Sequence, residues 1–445
     1  MKIVFALRSW ANVHYYHSLI SALMARGHAV HLLFDAHWSA NDPRDALDTL
    51  LAEHPEVSWE HLRLRGVSRP WANAARELRS YRRYLVVKGQ SDYYRRRWRR
   101  YLPLFLKALV CVPGVNAVLA SALVGKFFKW FEQGLSPVQE VVTNLRELQP
   151  DVVIAAPANL RFDTELEYLK AAKALGIPTA IPVYSWDNLT TKGLLHIVPD
   201  RLLAWNEVQK REAREHEISG ERARIVGSLF FDKWLMPRSP TPYAEFCRKW
   251  NLDPAKPFVL YLGSSRNIAP DETWLIGKLY SALGLQVLAR PHPANTRPYE
   301  ERMLKEIKYM PPGKGIPATP KAVQDLYDAL IHAAAVVGIN TSAMLDAICL
   351  DRPVISVLAN EYKETQEEAA HFNALRESGA IYTVNDVTEC KRKIEEILSG
   401  KDIASAKRKE FLSKWIWPQG TGRSAGEWAA DEVEKLAKDS TDVHN

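Results

Sequence analysis

Residues 335–357 read AVVGINTSAMLDAICLDRPVISV, and the order of residue types in them decides the fold. Val336-Val337-Gly338 closes an apolar run of buried-strand length, Asn340-Thr341-Ser342 is a hydroxyl-rich turn, Ala343 to Leu350 reads as a helix, and Arg352-Pro353 opens another apolar strand. Strand, polar turn, helix and strand is the repeat of an open parallel α/β sheet. A helix N-terminus leaves backbone N–H groups unpaired and carries partial positive charge, so small polar residues at that turn suit a phosphate. The plainer role of Thr341 or Ser342 is an N-cap.

The alternation extends in both directions. Upstream, Pro257 to Leu262 is a strand followed by Gly263-Ser264-Ser265, and Leu285 to Ala289 is a strand ending in Arg290-Pro291-His292-Pro293; downstream, Tyr362 to Leu375 gives a helix. At the start of the chain Lys2 to Leu7, Tyr15 to Ala25 and Ala29 to Phe34 make a βαβ opening, whose first loop, Arg8-Ser9-Trp10-Ala11-Asn12, lacks the Gly-x-Gly-x-x-Gly signature of dinucleotide binding. Asp151 to Ala155 and Thr179 to Val183 add strands, and the second delivers Tyr184-Ser185-Trp186-Asp187-Asn188-Leu189-Thr190-Thr191-Lys192-Gly193, the densest polar cluster in the sequence. Pro237, Pro240 and Pro242 mark a linker. A chain of 445 residues exceeds what one core usually supports. The expected organisation is an α/β protein with one Rossmann-like domain over 1–236, a second over 243–415, a cleft between them, and a helix within 416–445 returning to the first.

Charge is placed unevenly. Residues 61–107 hold 14 Lys or Arg against Glu77 and Asp92, a local balance of +12 that leaves −5 on the rest of this +7 chain. Tyr81-Arg82-Arg83-Tyr84 and Tyr93-Tyr94-Arg95-Arg96-Arg97-Trp98-Arg99-Arg100-Tyr101 interleave aromatics with arginines, which suits nucleic acid or an anionic bilayer. The following Leu102 to Phe131 is largely apolar, and its 18 uncharged residues 108–125 sit at the lower limit for a bilayer span. Pro113, Gly114 and Asn116 interrupt them. The segment 61–131 therefore reads as an interfacial helical hairpin on anionic lipid, in preference to nucleic acid; the alternative is a solvated arginine face with the apolar stretch packed on the sheet. Cys111, Cys247, Cys349 and Cys390 are widely spaced with no Cys-x-x-Cys, and MKIVFALRSW runs straight into a strand without signal-peptide features. The expected location is cytoplasmic, peripheral on the inner face of the cell membrane.

The set Gly263-Ser264-Ser265, Arg290-Pro291-His292-Pro293 and Gly338-Ile339-Asn340-Thr341-Ser342 with Asp346 resembles bacterial glycosyltransferases of the GT-B fold. It is most similar to the group that includes capsule Kdo transferases, sialyltransferases and CDP-glycerol glycerophosphotransferases. Gly227 to Asp232 is similar to the Gly-x-x-x-x-Asp segment that closes the first domain in such proteins. The resemblance implies that the His-Pro and Thr-Ser turns hold the nucleotide and phosphate of an activated donor sugar. It implies donor contacts at Ser264, Ser265, Arg290, Asn340, Thr341, Ser342 and Asp346, with Gln366 and His371 in the region that meets the donor sugar. Asp346 stands where many such enzymes carry a glutamate that grips a ribose, and the insertion 61–131 departs from the family pattern.

Transfer needs a nucleophilic hydroxyl, often a base, and stabilisation of a leaving phosphate, which basic side chains and helix N-termini supply without metal. No Asp-x-Asp motif occurs, in keeping with that metal-free route and with no cofactor beyond the nucleotide-activated sugar. His292 is a candidate hydrogen-bond donor to the phosphate and Arg290 a bidentate partner. Asp187 is the candidate base, with Arg8, Asn12, Ser185, Trp186 and Asn188 on the acceptor side; an Asx turn at Asp187-Asn188 is the structural alternative. The expected function is glycosyl transfer to a surface polysaccharide or glycolipid. Non-hydrolysing UDP-N-acetylglucosamine 2-epimerase chemistry and a non-catalytic lipid- or nucleic-acid-binding role are the alternatives.

Overall fold

The computed structural model describes residues 1–63, 69–87, 89, 91–161, 164–293, 307–311 and 316–444. Two compact units divide the chain, Met1–Asp232 with Trp415–Asn445, and Lys233–Lys414. The change of unit falls ahead of the proline-marked stretch.

Unit 1 is built on seven parallel strands: β1 (Lys2–Leu7), β2 (Ala29–Asp35), β3 (Ser58–Leu62), β4 (Val152–Ala156), β5 (Thr179–Pro182), β6 (Arg201–Ala204) and β7 (Ala223–Ile225), in the order β3-β2-β1-β4-β5-β6-β7. β1 and β4 are apolar throughout their buried lengths, as strands covered on both faces must be. β1 pairs with β2 on one side and β4 on the other, so the winding direction reverses there and opens a crevice at the strands' carboxyl ends. The final helix, Ala425–His444, returns to this unit and packs on the helix Val13–Ala25. A Cβ at Gly426 would lie 2.4 Å from the Ser18 backbone, so the approach requires glycine. Asp232 fixes the same end, accepting from Trp417 Nε1 (3.1 Å) and the N–H groups of Ala425 (3.1 Å) and Gly426 (2.9 Å).

Between β3 and β4 the chain inserts helices Pro70–Val86, Asp92–Tyr101, Leu104–Leu109, Val115–Ala120 and Ala122–Gly134. The expectation that the arginines of this segment face outward is corrected for the first helix, where Arg76, Arg79 and Arg83 are buried. They fall at i, i+3 and i+7, on one face with Ala72 and Ser80, and that face turns inward. Arg76 donates to Glu132 (2.7 and 2.9 Å) and Glu167 (3.0 Å), and Lys170 adds a bond to Glu132 at 3.1 Å. This charge quartet fastens two insertion helices to the helix Glu165–Ala174 behind the sheet. Removing one member of such a buried pair costs about 3–5 kcal/mol. The expected apolar hairpin is three short helices, and no helix among the described residues is long and apolar enough to cross a membrane.

Unit 2 repeats the plan with six parallel strands: β8 (Phe258–Leu262), β9 (Gln286–Arg290), β10 (Lys308–Tyr309), β11 (Ala335–Gly338), β12 (Val354–Val357) and β13 (Tyr382–Val384), ordered β10-β9-β8-β11-β12-β13. Val259, Tyr261, Val287, Val337 and Ile355 interlock with Leu275, Ile276 and Leu279 in one apolar core. The reversal of winding lies between β8 and β11, so the opening stretch of sequence and the Gly-Ser-Ser turn share one crevice.

Candidate functional site

In unit 2 the three sequence-predicted turns meet at the carboxyl ends of β8, β9 and β11. Gly263 N–H donates to the Arg290 carbonyl at 2.9 Å, and a Cβ at Gly263 would come within 3.0 Å of Pro291 and of the His292 nitrogen. Asn340 N–H donates to Ser264 Oγ at 3.2 Å, and the Asn340 amide reaches the Thr365 carbonyl at 2.8 Å. Backbone groups and the short side chains of Ser264 and Asn340 therefore fix the turns against one another.

The side chains divide into committed and uncommitted groups. Ser264 is fully buried, and the Ser265 carbonyl accepts from Ile268 and Ala269. Asp346 is locked between Trp234 Nε1 (2.7 Å) and Lys233 Nζ (3.0 Å). Gln366 spends its amide on the Ile339 and Val357 carbonyls, Ser356 Oγ and Ala359 N–H, which makes it a scaffold residue in place of the expected donor contact. His371 is buried in the helix Ala370–Glu377. Ser342 is exposed and its hydroxyl makes no cap, while Thr341 is mostly buried with no hydrogen bond to its hydroxyl among the described residues.

Arg290 stands apart. It is 7% exposed, and no hydrogen bond or ion pair among the described residues takes up its guanidinium. A buried charge without a partner is among the most costly arrangements a fold carries. Burial pushes both Arg290 and Lys233 below their usual range, and Asp346 pulls both back up, so two buried cations share one carboxylate. The excess positive charge fits an anion. Burial, with Arg290 beside it, holds His292 down at about 4, so at neutral pH the imidazole is an uncharged N–H donor.

Sequence reading missed Glu272, whose carboxylate accepts from Ser264 N–H (2.8 Å) and Tyr261 Oη (3.1 Å). Burial raises it to about 7, against the hydrogen bonds to Ser264 and Tyr261. Its signal was a charged residue just ahead of a helix, too common to single out.

Unit 1 gathers the acceptor-side candidates differently. Asp187 accepts from Ser185 Oγ (2.5 Å), Thr191 Oγ1 (2.6 Å) and Lys192 Nζ (3.1 Å). Asn188 accepts from Tyr184 N–H (3.0 Å) and donates to Asn159 Oδ1 (2.6 Å), and Trp186 is buried. The insertion clamps this loop: Arg83 donates to the carbonyls of Leu189, Thr190 (3.2 Å) and Lys192 (3.4 Å) and pairs with Glu215 (2.7 Å), while Tyr84 Oη reaches Lys192 O at 2.7 Å. Asn12 closes a capping box with Ser9, and the Arg8 guanidinium lies 3.9 Å over the Trp38 ring.

A second residue missed from sequence, Glu165, begins the helix after β4. It is 1% exposed, and no side chain among the described residues hydrogen-bonds its carboxylate, which faces the backbone N–H groups of Thr164 and Glu165. Burial raises its pKa, opposed by Arg8 at the end of β1. That makes it a carboxyl able to hold or take a proton near neutrality.

No protein-family model matches the chain, and no curated protein matches it by sequence. Solved structures do. UDP-GlcNAc 2-epimerase from Neisseria meningitidis, bound to UDP-GlcNAc, aligns over 98% of this chain and 100% of its own at 11% identity, with a TM-score of 0.55. The 2-epimerase of Methanocaldococcus jannaschii aligns over 98% and 100% at 14% identity, TM-score 0.54. A glycosyltransferase from Rickettsia africae aligns over 99% and 98% at 9% identity, TM-score 0.54. At these identities the likeness fixes the fold: two Rossmann-like α/β domains of the GT-B type, with the C-terminal helix returned to the first.

Proposed function

We propose that the chain is a GT-B glycosyltransferase that moves a sugar from a nucleotide-activated donor to a glycan or lipid-linked acceptor of the cell envelope, without metal. Unit 2 holds the donor. The carrying observation is Arg290, a buried guanidinium with no hydrogen bond or ion pair among the described residues, beside the neutral His292 and in the same set of strand-end turns as the hydroxyls of Thr341 and Ser342. A donor diphosphate pairs with that fork, and charge developing on the leaving phosphate meets groups already oriented for it. The motif resemblance to capsule Kdo transferases, sialyltransferases and CDP-glycerol glycerophosphotransferases supports the transferase chemistry. The insertion supports a peripheral position on the cytoplasmic face of the membrane, with anionic lipid as a partner.

Thermal unfolding with CMP, CDP, UDP and GDP and their sugar conjugates tests this, because a ligand of the folded state raises its apparent stability. One nucleotide should stabilise the protein, and Arg290→Met should weaken that nucleotide at least about tenfold, as expected for a charge-assisted hydrogen bond, without lowering the stability of the free protein. Undiminished binding by the variant would remove Arg290 from the donor site.

The full-length likeness to UDP-GlcNAc 2-epimerases favours one second reading, epimerisation of a UDP-sugar on the same fold. Incubation with UDP-GlcNAc alone separates the two: epimerisation proceeds without an acceptor, whereas transfer requires one.

A further inference from the structure

Unit 1 contains a cavity of about 650 Å³ at the amino ends of β5, β6 and β7, the edge opposite the polar loops. Five cations line it, Arg79, Lys129, Lys170, Lys173 and Arg222, against two carboxylates, Glu132 and Glu217. The carboxylates are already shared. Glu132 serves Arg76 and Lys170, and Glu217 serves Lys129 (2.8 Å) and Arg79 (3.3 Å). Among the described residues Lys173 has only Asp200 at 3.8 Å, and Arg222 only the Pro199 carbonyl at 3.5 Å. His196 also lines the cavity, with Nδ1 buried and unpartnered among the described residues. The cavity is basic and short of anions.

One wall is the helix Ala122–Gly134, which contributes Lys129 and Gln133. The same helix exposes Leu123 (77%), Phe127 (53%) and Trp130 (68%), spaced i, i+4 and i+7 on a single stripe. Leu104 (82%), Phe105 (67%) and Val118 (63%) are exposed on the short helices before it. On a helical wheel Lys126, Lys129 and Gln133 lie between the bare stripe and the inward face carrying Phe128 and Glu132, so cations border the apolar surface on the cavity side. An apolar stripe edged by lysines matches the layering of an anionic membrane surface, acyl chains below phosphate.

We propose that this cavity binds the phosphate-bearing head group of an anionic lipid while the stripe Leu123, Phe127 and Trp130 sits in the acyl boundary. The inference deepens the membrane part of the proposed function and is independent of the donor nucleotide. Flotation of the full chain with vesicles of phosphatidylcholine alone or mixed with phosphatidic acid provides the test. The protein should float with phosphatidic acid and not with phosphatidylcholine alone. Lys173→Glu with Arg222→Glu reverses two exposed cations away from the buried quartet and should weaken the phosphatidic acid vesicles about thirtyfold or more, at roughly a kcal/mol per lost basic residue. Phe127→Ser with Trp130→Ser should abolish flotation yet leave any thermal stabilisation by inorganic phosphate. Flotation unaffected by the charge reversal overturns the cavity as the head-group site. Stabilisation by inorganic phosphate with no flotation of the unaltered protein overturns the lipid as its source. Nucleotide stabilisation retained by the charge-reversed variant shows that it is folded and leaves the donor reading standing whichever way the vesicles decide.

Discussion

The loop Tyr184–Gly193 of unit 1 and the three turns of unit 2 occupy equivalent places, past the carboxyl ends of parallel strands, and they are finished in opposite ways. The first is tied from within by Asp187 and Asn188 and from behind by Arg83 and Tyr84. The second is tied by backbone groups and the short side chains of Ser264 and Asn340, and the buried charge of Arg290 is left without a hydrogen bond or ion pair among the described residues. Polar residues at a strand end thus serve two ends, and what separates them is whether the surrounding chain consumes their hydrogen bonds. Folding energy is recovered in the first case and left unrecovered in the second, which is where the proposed donor would supply it.

The most direct way to break the contrast is to cut the clamp. Arg83→Ala strands three loop carbonyls and Glu215 at once. The expected loss is about 3 kcal/mol, at the low end for a broken buried pair because Glu215 keeps 28% of its side-chain exposure. Denaturant unfolding followed by tryptophan fluorescence reads it. A loss below about 1 kcal/mol would mean that the loop holds itself and that the insertion merely rests on it.

How much of this was legible follows from distance along the chain. Both sheets announced themselves through short apolar runs ending in polar turns, and the three unit 2 turns could be named because each follows its own strand directly. The clamp was hidden because the partners of Arg76, Arg79 and Arg83 lie 56 to 138 residues away. An i, i+3, i+7 row of arginines sharing a face with Ala72 was the one local hint that they point inward. That Arg290 is unpaired among the described residues, or that Asp187 is fully paired, is a statement about every neighbour at once, which no single stretch of sequence carries.

A pH experiment sharpens the unit 2 side. Glu272 is raised from an ordinary 4.5 to about 7, so between those values the folded state binds more protons than the unfolded one. Stability is then lost as pH rises from 4.5 through 7, by on the order of 3 kcal/mol for this group at most. His292 works in the same direction of burial but the opposite direction of pH: held at about 4, it costs stability as pH falls from 6.5 toward 4. The two trends oppose each other between 4.5 and 6.5. Glu272→Gln removes one of them and leaves the His292 trend common to both proteins, so its stability should fall less than that of the unaltered protein between pH 6 and 8. Parallel pH profiles for the two proteins would show that Glu272 is ionised throughout.

The finest distinction concerns the two carboxylates of unit 1. Asp187 is fully engaged by Ser185, Thr191 and Lys192, and Asn at this position keeps one acceptor and loses the lysine pairing, a change of about 1 kcal/mol in stability. Glu165 has no such side-chain obligations: it is buried, raised in pKa and met only by the backbone N–H groups at the start of its own helix among the described residues, so Gln in its place breaks no side-chain hydrogen bond. If unit 1 supplies the base for an acceptor hydroxyl, the group free to take the proton is Glu165, and turnover of a nucleotide-sugar should fall about 10²-fold or more in Glu165→Gln. It should survive Asp187→Asn within about tenfold, and the rate of the unaltered protein should rise with pH as the Glu165 carboxyl ionises. The reverse order, a collapse of turnover in Asp187→Asn with Glu165→Gln active, would return the role to Asp187 and show that a carboxylate can hold its own loop together and still accept a proton.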